Sequence, residues 1–271
     1  MRKGRHQIAL VFLEREWTIM FFTITYVVHN HRRVTNQSAT MWLTSPRVQR
    51  IIGGGLLERT AISLVAQLEL LGLGGHKHSS VVSLIRRVRR ERRWLVTANE
   101  AYLVYTLAKA QSKRQGHMAE VGTYQGGTAG MICEAKGDRQ LHVFDTFDGL
   151  PAPIEQDRNV HQPNQYACSL ESVRGYLAKY DDVVYYKGRF PDTAGPVEGL
   201  QFSFAHFDVD LYESTRACLE FFYPRMIPGG IMLSHDYSVL AGVRTAFEEF
   251  LVDKPEGLIE LPTTQCMLVK L

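Results

Sequence analysis

Apolar and polar positions alternate in short blocks from about residue 95 to the end of the chain. Apolar runs rich in β-branched and aromatic residues predict strands, and apolar stripes at helical spacing predict the helices between them. The predicted strands cover residues 117–121, 141–144, 183–187, 202–208 and 231–234, with a closing pair at 258–261 and 266–271. The predicted helices cover 98–109, 170–179 and 214–226, followed by a stripe through Val243, Ala246, Phe247, Phe250 and Leu251. This alternation predicts an α/β fold on a doubly wound, mostly parallel sheet of seven strands.

The first 80 residues lack this alternation and carry no recognisable motif. We therefore expect an N-terminal extension of unknown role over residues 1–80, before a domain over 81–271. Residues 17–28 are mostly apolar, but a membrane-spanning helix needs about 20 such residues. No small-residue cleavage site follows them, so a packed element and an interfacial anchor both fit. Glycine patches at 53–55 and 72–75 predict breaks in regular structure.

A basic segment, residues 80–94, precedes the alternating part of the chain. Val81, Leu84, Ile85 and Val88 recur at helical spacing, so this segment predicts a helix with one packed side. Its arginines are Arg86, Arg87, Arg89, Arg90, Arg92 and Arg93. A solvated helix face explains them better than binding of an anionic substrate, a lipid or nucleic acid, because no aromatic residues alternate with them.

A glycine-rich segment, Glu120-Val-Gly-Thr-Tyr-Gln-Gly-Gly, joins the first predicted strand to a helix. Glycine lets the backbone turn tightly and approach a ligand closely, and the first amides of the helix point at the turn. Asp145 stands at the end of the next strand, about 25 residues later, where an acid can hold the two hydroxyls of a ribose. The pattern predicts a nucleoside-cofactor site. A tight turn in some other α/β protein is the alternative.

The turn differs from the sequences that bind dinucleotides and phosphates. Tyr124 replaces the second glycine of the dinucleotide pattern, and the lysine of a phosphate-binding loop is absent. Glu120 at the strand end would repel a pyrophosphate and would suit an ammonium group. S-adenosylmethionine, which carries adenosine at one end and an amino acid at the other, fits best. The candidate cofactor-binding residues are Glu120, Gly122, Thr123, Tyr124, Gly126 and Asp145.

Acidic residues follow two later strands. Asp208 and Asp210 follow one strand, and the pair His235-Asp236 follows the next. Because the carboxyl ends of parallel strands share one edge of a sheet, we expect Asp208, His235 and Asp236 close together, with Asp210 on the same rim. Two carboxylates suit Mg²⁺, and an imidazole suits a transition metal. A helix cap or a solvated turn explains any one acid alone, but the group beside a cofactor turn favours a metal site.

Composition narrows the classes of function. The 271 residues are 45% hydrophobic and 22% charged, which is ordinary for a globular protein. A net charge of +3 is too small to indicate a nucleic-acid partner. Four widely spaced cysteines, with no Cys-x-x-Cys pair, support neither a disulfide framework nor a zinc site. We expect a cytoplasmic protein.

Five motifs in order resemble one known family. They are the segment from Glu120, Phe144-Asp-Thr-Phe-Asp-Gly-Leu-Pro, Lys187-Gly-Arg-Phe-Pro-Asp-Thr, Asp208-Val-Asp-Leu-Tyr-Glu-Ser-Thr and Pro228-Gly-Gly-Ile-Met-Leu-Ser-His-Asp-Tyr. The set resembles the macrocin O-methyltransferase (TylF-like) family over about residues 82–271. Its members are class I S-adenosylmethionine-dependent methyltransferases, many of which use Mg²⁺ to methylate sugar hydroxyls of natural products. The resemblance implies a metal-assisted O-methyltransferase acting on a sugar or a sugar-bearing natural product.

The resemblance also implies roles for single residues. The turn from Glu120 would bind the methionine part of the cofactor, and Asp145 the ribose. Asp208 corresponds to a metal-binding aspartate and Asp210 to the general base. The family's second metal motif is often Asp-Asp-Tyr, whereas this chain has His235-Asp236-Tyr237. The imidazole is compatible with a weaker Mg²⁺ site, another metal, or none; without a metal, His235 is the second candidate base.

Two other functions compete with a methyltransferase. Asp208-Val-Asp210 also resembles the Asp-x-Asp motif of metal-dependent glycosyltransferases, although Glu120 and Asp145 argue against a diphosphate at the first turn. A non-catalytic cofactor-binding scaffold is the second rival, since His235 departs from the family pattern.

The expected partner is a small-molecule hydroxyl acceptor, and no feature of the sequence identifies it. Aromatic residues at 221–223 would serve a homodimer if they are exposed. We expect His206 in the core and no functional role for His142. His161 lies in a polar stretch, residues 154–165, that predicts either a lid over the substrate or a plain surface loop.

Overall fold

The computed structural model describes residues 42–52, 56–158 and 160–271. Within them, Trp42–Leu271 form one compact unit. The helices are α1 (Pro46–Ile52), α2 (Leu56–His76), α3 (Ser79–Glu91), α4 (Ala98–Gln111), α5 (Gly127–Ala135), α6 (Leu170–Leu177), α7 (Tyr212–Phe222) and α8 (Ala241–Phe250). The strands are β1 (His117–Val121), β2 (Leu141–Asp145), β3 (Val183–Lys187), β4 (Phe202–Phe207), β5 (Met226–Ser234), β6 (Ile259–Glu260) and β7 (Cys266–Val269).

The strands form one seven-stranded sheet in the order β3-β2-β1-β4-β5-β7-β6. The first five strands in that order are parallel, and β7 runs antiparallel to both β5 and β6. This confirms the predicted doubly wound sheet and its closing strand pair. The order reverses between β1 and β4, so their carboxyl ends open a crevice where such folds bind ligands.

Side chains of the central strands alternate between two apolar layers. Met118 packs on one side of the sheet with Ile85, Val104 and Ile132. The next residue, Ala119, packs on the other side with a cluster that is rich in phenylalanine. Because a strand presents successive side chains to opposite faces, a run buried on both sides reads as continuously apolar. Helices therefore cover both faces, and the carboxyl edge of the sheet is left for a site.

The described part of the predicted N-terminal extension belongs to the compact unit. Ala66, Leu70 and Leu73 of α2 are buried in the same core as α4, so the compact unit begins at residue 42 rather than near 81. The predicted break at 72–75 is wrong, because α2 continues through it to His76. Burial of one helix face offsets a cost of about 1 kcal/mol for each glycine. The apolar run 17–28 and the glycines at 53–55 lie outside the described residues.

The basic segment forms α3, as predicted. Val81, Leu84, Ile85 and Val88 are buried, and the exposed arginines include Arg86. Three of the arginine side chains bind other parts of the chain, and the first, Arg87, pairs with Glu134. Arg89 Nη1 donates to Val96 O at 2.6 Å, and Arg92 Nε donates to Gln125 O at 2.6 Å in the glycine-rich turn. Arg92, at the end of α3, therefore holds that turn by a hydrogen bond.

The boundary after α7 differs from the prediction. The helix ends at Phe222, a 3₁₀ turn covers Tyr223–Arg225, and β5 begins at Met226. Proline at 224 lacks the amide hydrogen that would continue the helix. Phe222 is fully buried and stacks on Phe190 with 5.6 Å between ring centroids. Phe222 is therefore no part of an exposed patch, whereas Phe221 and Tyr223 are half-buried. A homodimer stays a prediction.

None of the helices in the described ranges is both long and apolar enough to cross a membrane. The longest, α2, spans 21 residues, but charged and glycine positions interrupt its apolar face.

Candidate active site

A cavity of about 620 Å³ opens at the carboxyl ends of the parallel strands. This volume lies in the usual range for small-molecule sites. Its wall combines the turn after β1 and the segments after β2, β4 and β5, with Ala61, Ile62 and Val65 of α2 as an apolar side. All candidate site residues except Glu120 and Gly126 line this cavity: Gly122, Thr123, Tyr124, Asp145, Asp208, Asp210, His235 and Asp236. The predicted cofactor and metal regions therefore share one space.

The glycine-rich turn is held in a conformation that depends on Gly122. Its φ is +80°, and an added Cβ would lie 1.9 Å from Asp208 O. The turn and the end of β4 are thus packed backbone against backbone. Tyr124 also has a positive φ of 48°. This backbone conformation costs free energy in a residue other than glycine, and residues strained in this way are concentrated at ligand sites. The N-terminus of α5 follows at Gly127, so its first amides have no partner within the helix.

Asp145 organises this turn through its carboxylate. Oδ2 accepts from Thr123 N at 2.7 Å and Tyr124 N at 3.1 Å, and Oδ1 accepts from Phe147 N at 2.7 Å. Burial raises the pKa of Asp145, and the three amide hydrogen bonds act in the opposite direction. The same carboxylate lines the cavity. Its remaining acceptor capacity is what a ribose hydroxyl would use.

Glu120 occupies a different position from the one expected for direct ligand contact. Its side chain is fully buried; Oε2 accepts from Thr123 Oγ1 at 2.6 Å, and Oε1 contacts His206 Nδ1 at 3.1 Å. Glu120 and His206 face each other because β1 and β4 pair them in register. Both are buried polar residues, which confirms the core position of His206. Contact of Glu120 with an ammonium group stays a prediction, because Thr123 and His206 engage its two carboxylate oxygens.

Three predicted metal ligands come together at the ends of β4 and β5. Ligand atoms of Asp208, His235 and Asp236 all lie within 4.8 Å of one another. Asp236, at φ 60°, and Asp210, at φ 59°, adopt left-handed backbone conformations, which aspartate tolerates better than most residues. The turns after both strands therefore aim their acids at one point.

The acids of the cluster disfavour one another's charged form. Burial raises the pKa of Asp208 well above its usual range, and the neighbouring Asp210 adds to the rise. Burial likewise raises the pKa of Asp236, followed by the charges of Asp210 and Asp208. Carboxylates that crowd in this way fit a divalent cation, because the cation replaces repulsion with attraction. Two oxygens and an imidazole form an acceptable donor set.

Two residues that the sequence did not single out support His235. Gln265, fully buried just before β7, places its side-chain Nε2 at 2.7 Å from His235 Nε2. Glu100, also buried, accepts from Thr264 Oγ1 at 2.7 Å and Thr97 N at 2.8 Å. Burial would raise the pKa of Glu100, but the nearby His235 and these hydrogen bonds lower it below its usual value. Only the capping box from Thr97 to Glu100 left a sequence signal.

His161 is a further residue of interest in the cavity wall. It is 7% exposed, and both of its ring nitrogens are buried without a hydrogen-bond partner in the described part of the chain. Its ring meets Tyr166 edge-on, with 5.9 Å between centroids. Val160 and Gln165 line the same cavity, so this stretch borders it; the lid stays a prediction.

The chain is similar to known proteins over more than half of its length. Residues 105–260 match the family model described as macrocin-O-methyltransferase (TylF). An 8-demethyl-8-(2,3-dimethoxy-α-L-rhamnosyl)-tetracenomycin-C 4′-O-methyltransferase of Streptomyces olivaceus is 31% identical over 140 residues, 46% of this chain and 54% of that protein. A mycinamicin III 3″-O-methyltransferase of Micromonospora griseorubida is 31% identical over 153 residues, 50% of this chain and 60% of that protein. The chain thus spans little more than half the length of these relatives.

A solved structure extends the likeness to three dimensions. The O-methyltransferase NovP superposes with a TM-score of 0.58 at 24% identity, covering 65% of this chain and 81% of that one. At this identity the likeness concerns the fold. It includes the sheet whose carboxyl edge carries the cavity.

Proposed function

Because the chain belongs to the macrocin-O-methyltransferase (TylF) family, we propose that it is an S-adenosylmethionine-dependent O-methyltransferase. The proposed acceptor is a hydroxyl of a sugar or of a sugar-bearing small molecule, as in natural-product biosynthesis, and a divalent cation assists the transfer. The observation that carries the proposal is the single cavity in which the glycine-rich turn, Asp145 and the acid cluster meet. The relatives act on sugar-bearing natural products by their names.

The turn and Asp145 are the proposed cofactor half. Amides at the start of α5 face the position of the methionine part, and Asp145 faces the ribose. The acids around the cavity favour a cofactor that brings positive charge, and both a sulfonium and an ammonium do so. A pyrophosphate at the turn would meet the carboxylate of Asp145, although Arg93 and Arg189 also line the cavity. That carboxylate disfavours the glycosyltransferase alternative.

The acid cluster is the proposed acceptor half. Asp208, Asp236 and His235 would hold the cation, which when bound lowers the pKa of the acceptor hydroxyl and orients it. Asp210 accepts the hydroxyl proton while the oxygen bonds to the methyl carbon, the carbon–sulfur bond breaks and S-adenosylhomocysteine leaves. General-base catalysis of this kind contributes about 10²–10⁴-fold. Without a bound cation, His235 is the second candidate base. Holding both reactants in line supplies much of the remaining rate enhancement.

His161 is the proposed acceptor contact outside the cluster. Buried nitrogens without partners cost free energy, typically about 1–3 kcal/mol, and a hydroxyl-rich ligand would remove that cost. The imidazole can donate from one nitrogen and accept at the other, which suits a sugar hydroxyl.

The test of the proposal is a methyl-transfer assay on the purified chain. S-adenosylmethionine carrying an isotope-labelled methyl group is incubated with Mg²⁺ or Mn²⁺ and a panel of deoxyhexosides on aromatic or macrolide aglycones. Mass spectrometry that finds one labelled methyl group on a sugar oxygen would support the proposal. Cofactor binding without transfer to any acceptor would favour the scaffold alternative, and transfer of a sugar from a nucleotide donor would favour the glycosyltransferase.

A further inference from the structure

The contact between Gln265 and His235 determines which nitrogen of the imidazole can meet a cation. The two Nε2 atoms are 2.7 Å apart, and Gln265 is fully buried. Because His235 Nε2 is engaged by the amide, Nδ1 is the ring nitrogen left for the cluster with Asp208 and Asp236. Two nitrogens at this distance cannot both point hydrogens at each other, so one group must present a lone pair.

Two orientations of the Gln265 amide satisfy this condition. If the amide NH₂ donates to Nε2, neutral His235 carries its proton on Nδ1, and Nδ1 has no lone pair for a metal. If the amide turns by 180°, its oxygen accepts Nε2–H, and Nδ1 keeps its lone pair. The structure has the amide nitrogen toward His235, and the hydroxyl of Thr263 donates to Gln265 Oε1 at 3.2 Å; the two orientations have the same shape. A hydroxyl donates or accepts, so Thr263 serves either orientation.

The surroundings of Nδ1 favour the second orientation. A protonated Nδ1 beside two carboxylates would be expected to donate to one of them. Among the described residues, the ring of His235 makes no hydrogen bond to Asp208 or Asp236, although their ligand atoms lie within 4.8 Å. If Nδ1 carries a lone pair, that lone pair repels the carboxylate oxygens of Asp208 and Asp236. The groups then lie near one another without a hydrogen bond. A cation between them turns that repulsion into coordination.

We propose that Gln265 is a positioning residue that accepts Nε2–H of His235 and so presents Nδ1 as a metal ligand. The resulting site of one nitrogen and two oxygens binds ions of the Mn²⁺ and Co²⁺ class in preference to Mg²⁺. Imidazole is a good ligand for the former, whereas Mg²⁺ prefers oxygen. This inference rests on the cation assigned under the proposed function and adds which ion is preferred and what selects it.

The test combines nitrogen NMR with metal titration and needs no acceptor. Histidine-labelled protein reports the tautomer of His235, whose signals are identified by their loss in His235→Asn. Affinities for Mn²⁺ and Mg²⁺ are measured by calorimetry in the original chain, Gln265→Leu and Gln265→Glu. Gln111→Leu is the matched control, since Gln111 is also buried and donates to Gly229 O at 3.0 Å but does not line the cavity.

We expect Nε2–H in the original chain and in Gln265→Glu, whose carboxylate can only accept at neutral pH. Gln265→Leu should weaken Mn²⁺ binding about 10–100-fold, as loss of a partner behind a metal-binding histidine does, and weaken Mg²⁺ binding much less. Gln111→Leu should leave the tautomer and the Mn²⁺-to-Mg²⁺ ratio unchanged.

Three results would overturn the inference: an Nδ1–H tautomer in the original chain, an equal loss of both ions in Gln265→Leu, or no Mn²⁺ binding. S-adenosylhomocysteine is titrated into the same samples, so that a failure of the Gln265 inference can be distinguished from a failure of the proposed function. Binding of that compound without a Gln265 effect leaves the methyltransferase proposal intact.

Discussion

The two halves of the cavity satisfy their carboxylates in opposite ways. Asp145 in the cofactor half accepts hydrogen bonds from three backbone amides of the chain itself. Asp208 and Asp236 in the acceptor half crowd each other and Asp210, and their pKa values are raised well above the usual range. The first half is thus preorganised by the polypeptide, whereas the second is the half that we propose a cation completes. Preorganisation where the cofactor binds and charge frustration where the cation binds separate two roles within one cavity.

Replacement of Gly122 should produce the largest effect, because Gly122 packs against the backbone of Asp208 where the two halves of the cavity meet. Gly122→Ala sets a Cβ at 1.9 Å from Asp208 O, so we expect a loss of unfolding free energy above about 4 kcal/mol or failure to fold. Gly137→Ala is the matched control: its φ is +59° but nothing lies within 4 Å of the added carbon, and it should cost about 1 kcal/mol. Chemical denaturation measures both. Equal losses would show that backbone conformation, not close packing, sets the requirement.

Replacement of Asp210 should abolish chemistry without disturbing the cofactor half. Asparagine tolerates the left-handed backbone at this position, so Asp210→Asn keeps the turn but cannot accept the hydroxyl proton. We expect kcat to fall about 10²–10⁴-fold, with unchanged affinity for S-adenosylhomocysteine. Asp253→Asn, at an exposed residue, is the control. Turnover retained in Asp210→Asn would transfer the role of base to His235.

Replacement of Asp208 should have two separate effects, because it removes one of the crowded carboxylates and also one of the proposed metal ligands. Asp208→Asn removes one of the crowded carboxylates, so the metal-free protein should be as stable as the original or more so. Stabilisation by added Mn²⁺, measured as the shift in Tm, should be lost because a ligand is missing. A preserved metal-dependent shift would place the cation elsewhere, and a strongly destabilised metal-free protein would contradict the frustration described above.

Replacement of His161 should give the smallest effect, confined to the acceptor. His161→Phe keeps an aromatic ring against Tyr166 and removes two buried nitrogens without partners. We expect Tm to stay or rise, cofactor affinity to stay, and KM for the acceptor to rise about 10-fold, the equivalent of one hydrogen bond. An unchanged KM for an acceptor that the enzyme methylates would exclude His161 as a contact of that acceptor.

The sequence predicted the meeting of the two halves because parallel strands end at a common edge. Glu120, Asp145, Asp208 and Asp236 each follow or close an apolar run, so their approach needed only the correct sheet type. The orientation of Glu120 toward His206 was not predictable, because it depends on which strand pairs with β1 and in which register. The continuous helix through residues 72–75 likewise depends on burial against α4, which local glycine content does not reveal.

Gln265 and Glu100 show where prediction from local pattern stops. Gln265 lies just before β7 and Glu100 lies in α4. Both are far in sequence from the strand ends, and neither belongs to a motif of the site. Their importance follows from burial and from the contacts around His235. Only the three-dimensional arrangement shows that an amide lies behind the imidazole.

The central claim is that the cofactor half is complete without the cation, while the acid cluster binds the cation on its own. Calorimetric titration of the purified chain with S-adenosylhomocysteine, in the absence and presence of Mn²⁺, tests it most directly. We predict binding of S-adenosylhomocysteine without metal, and a separate heat for Mn²⁺ that Asp208→Asn abolishes. Folded protein that binds no S-adenosylhomocysteine under either condition would contradict the account.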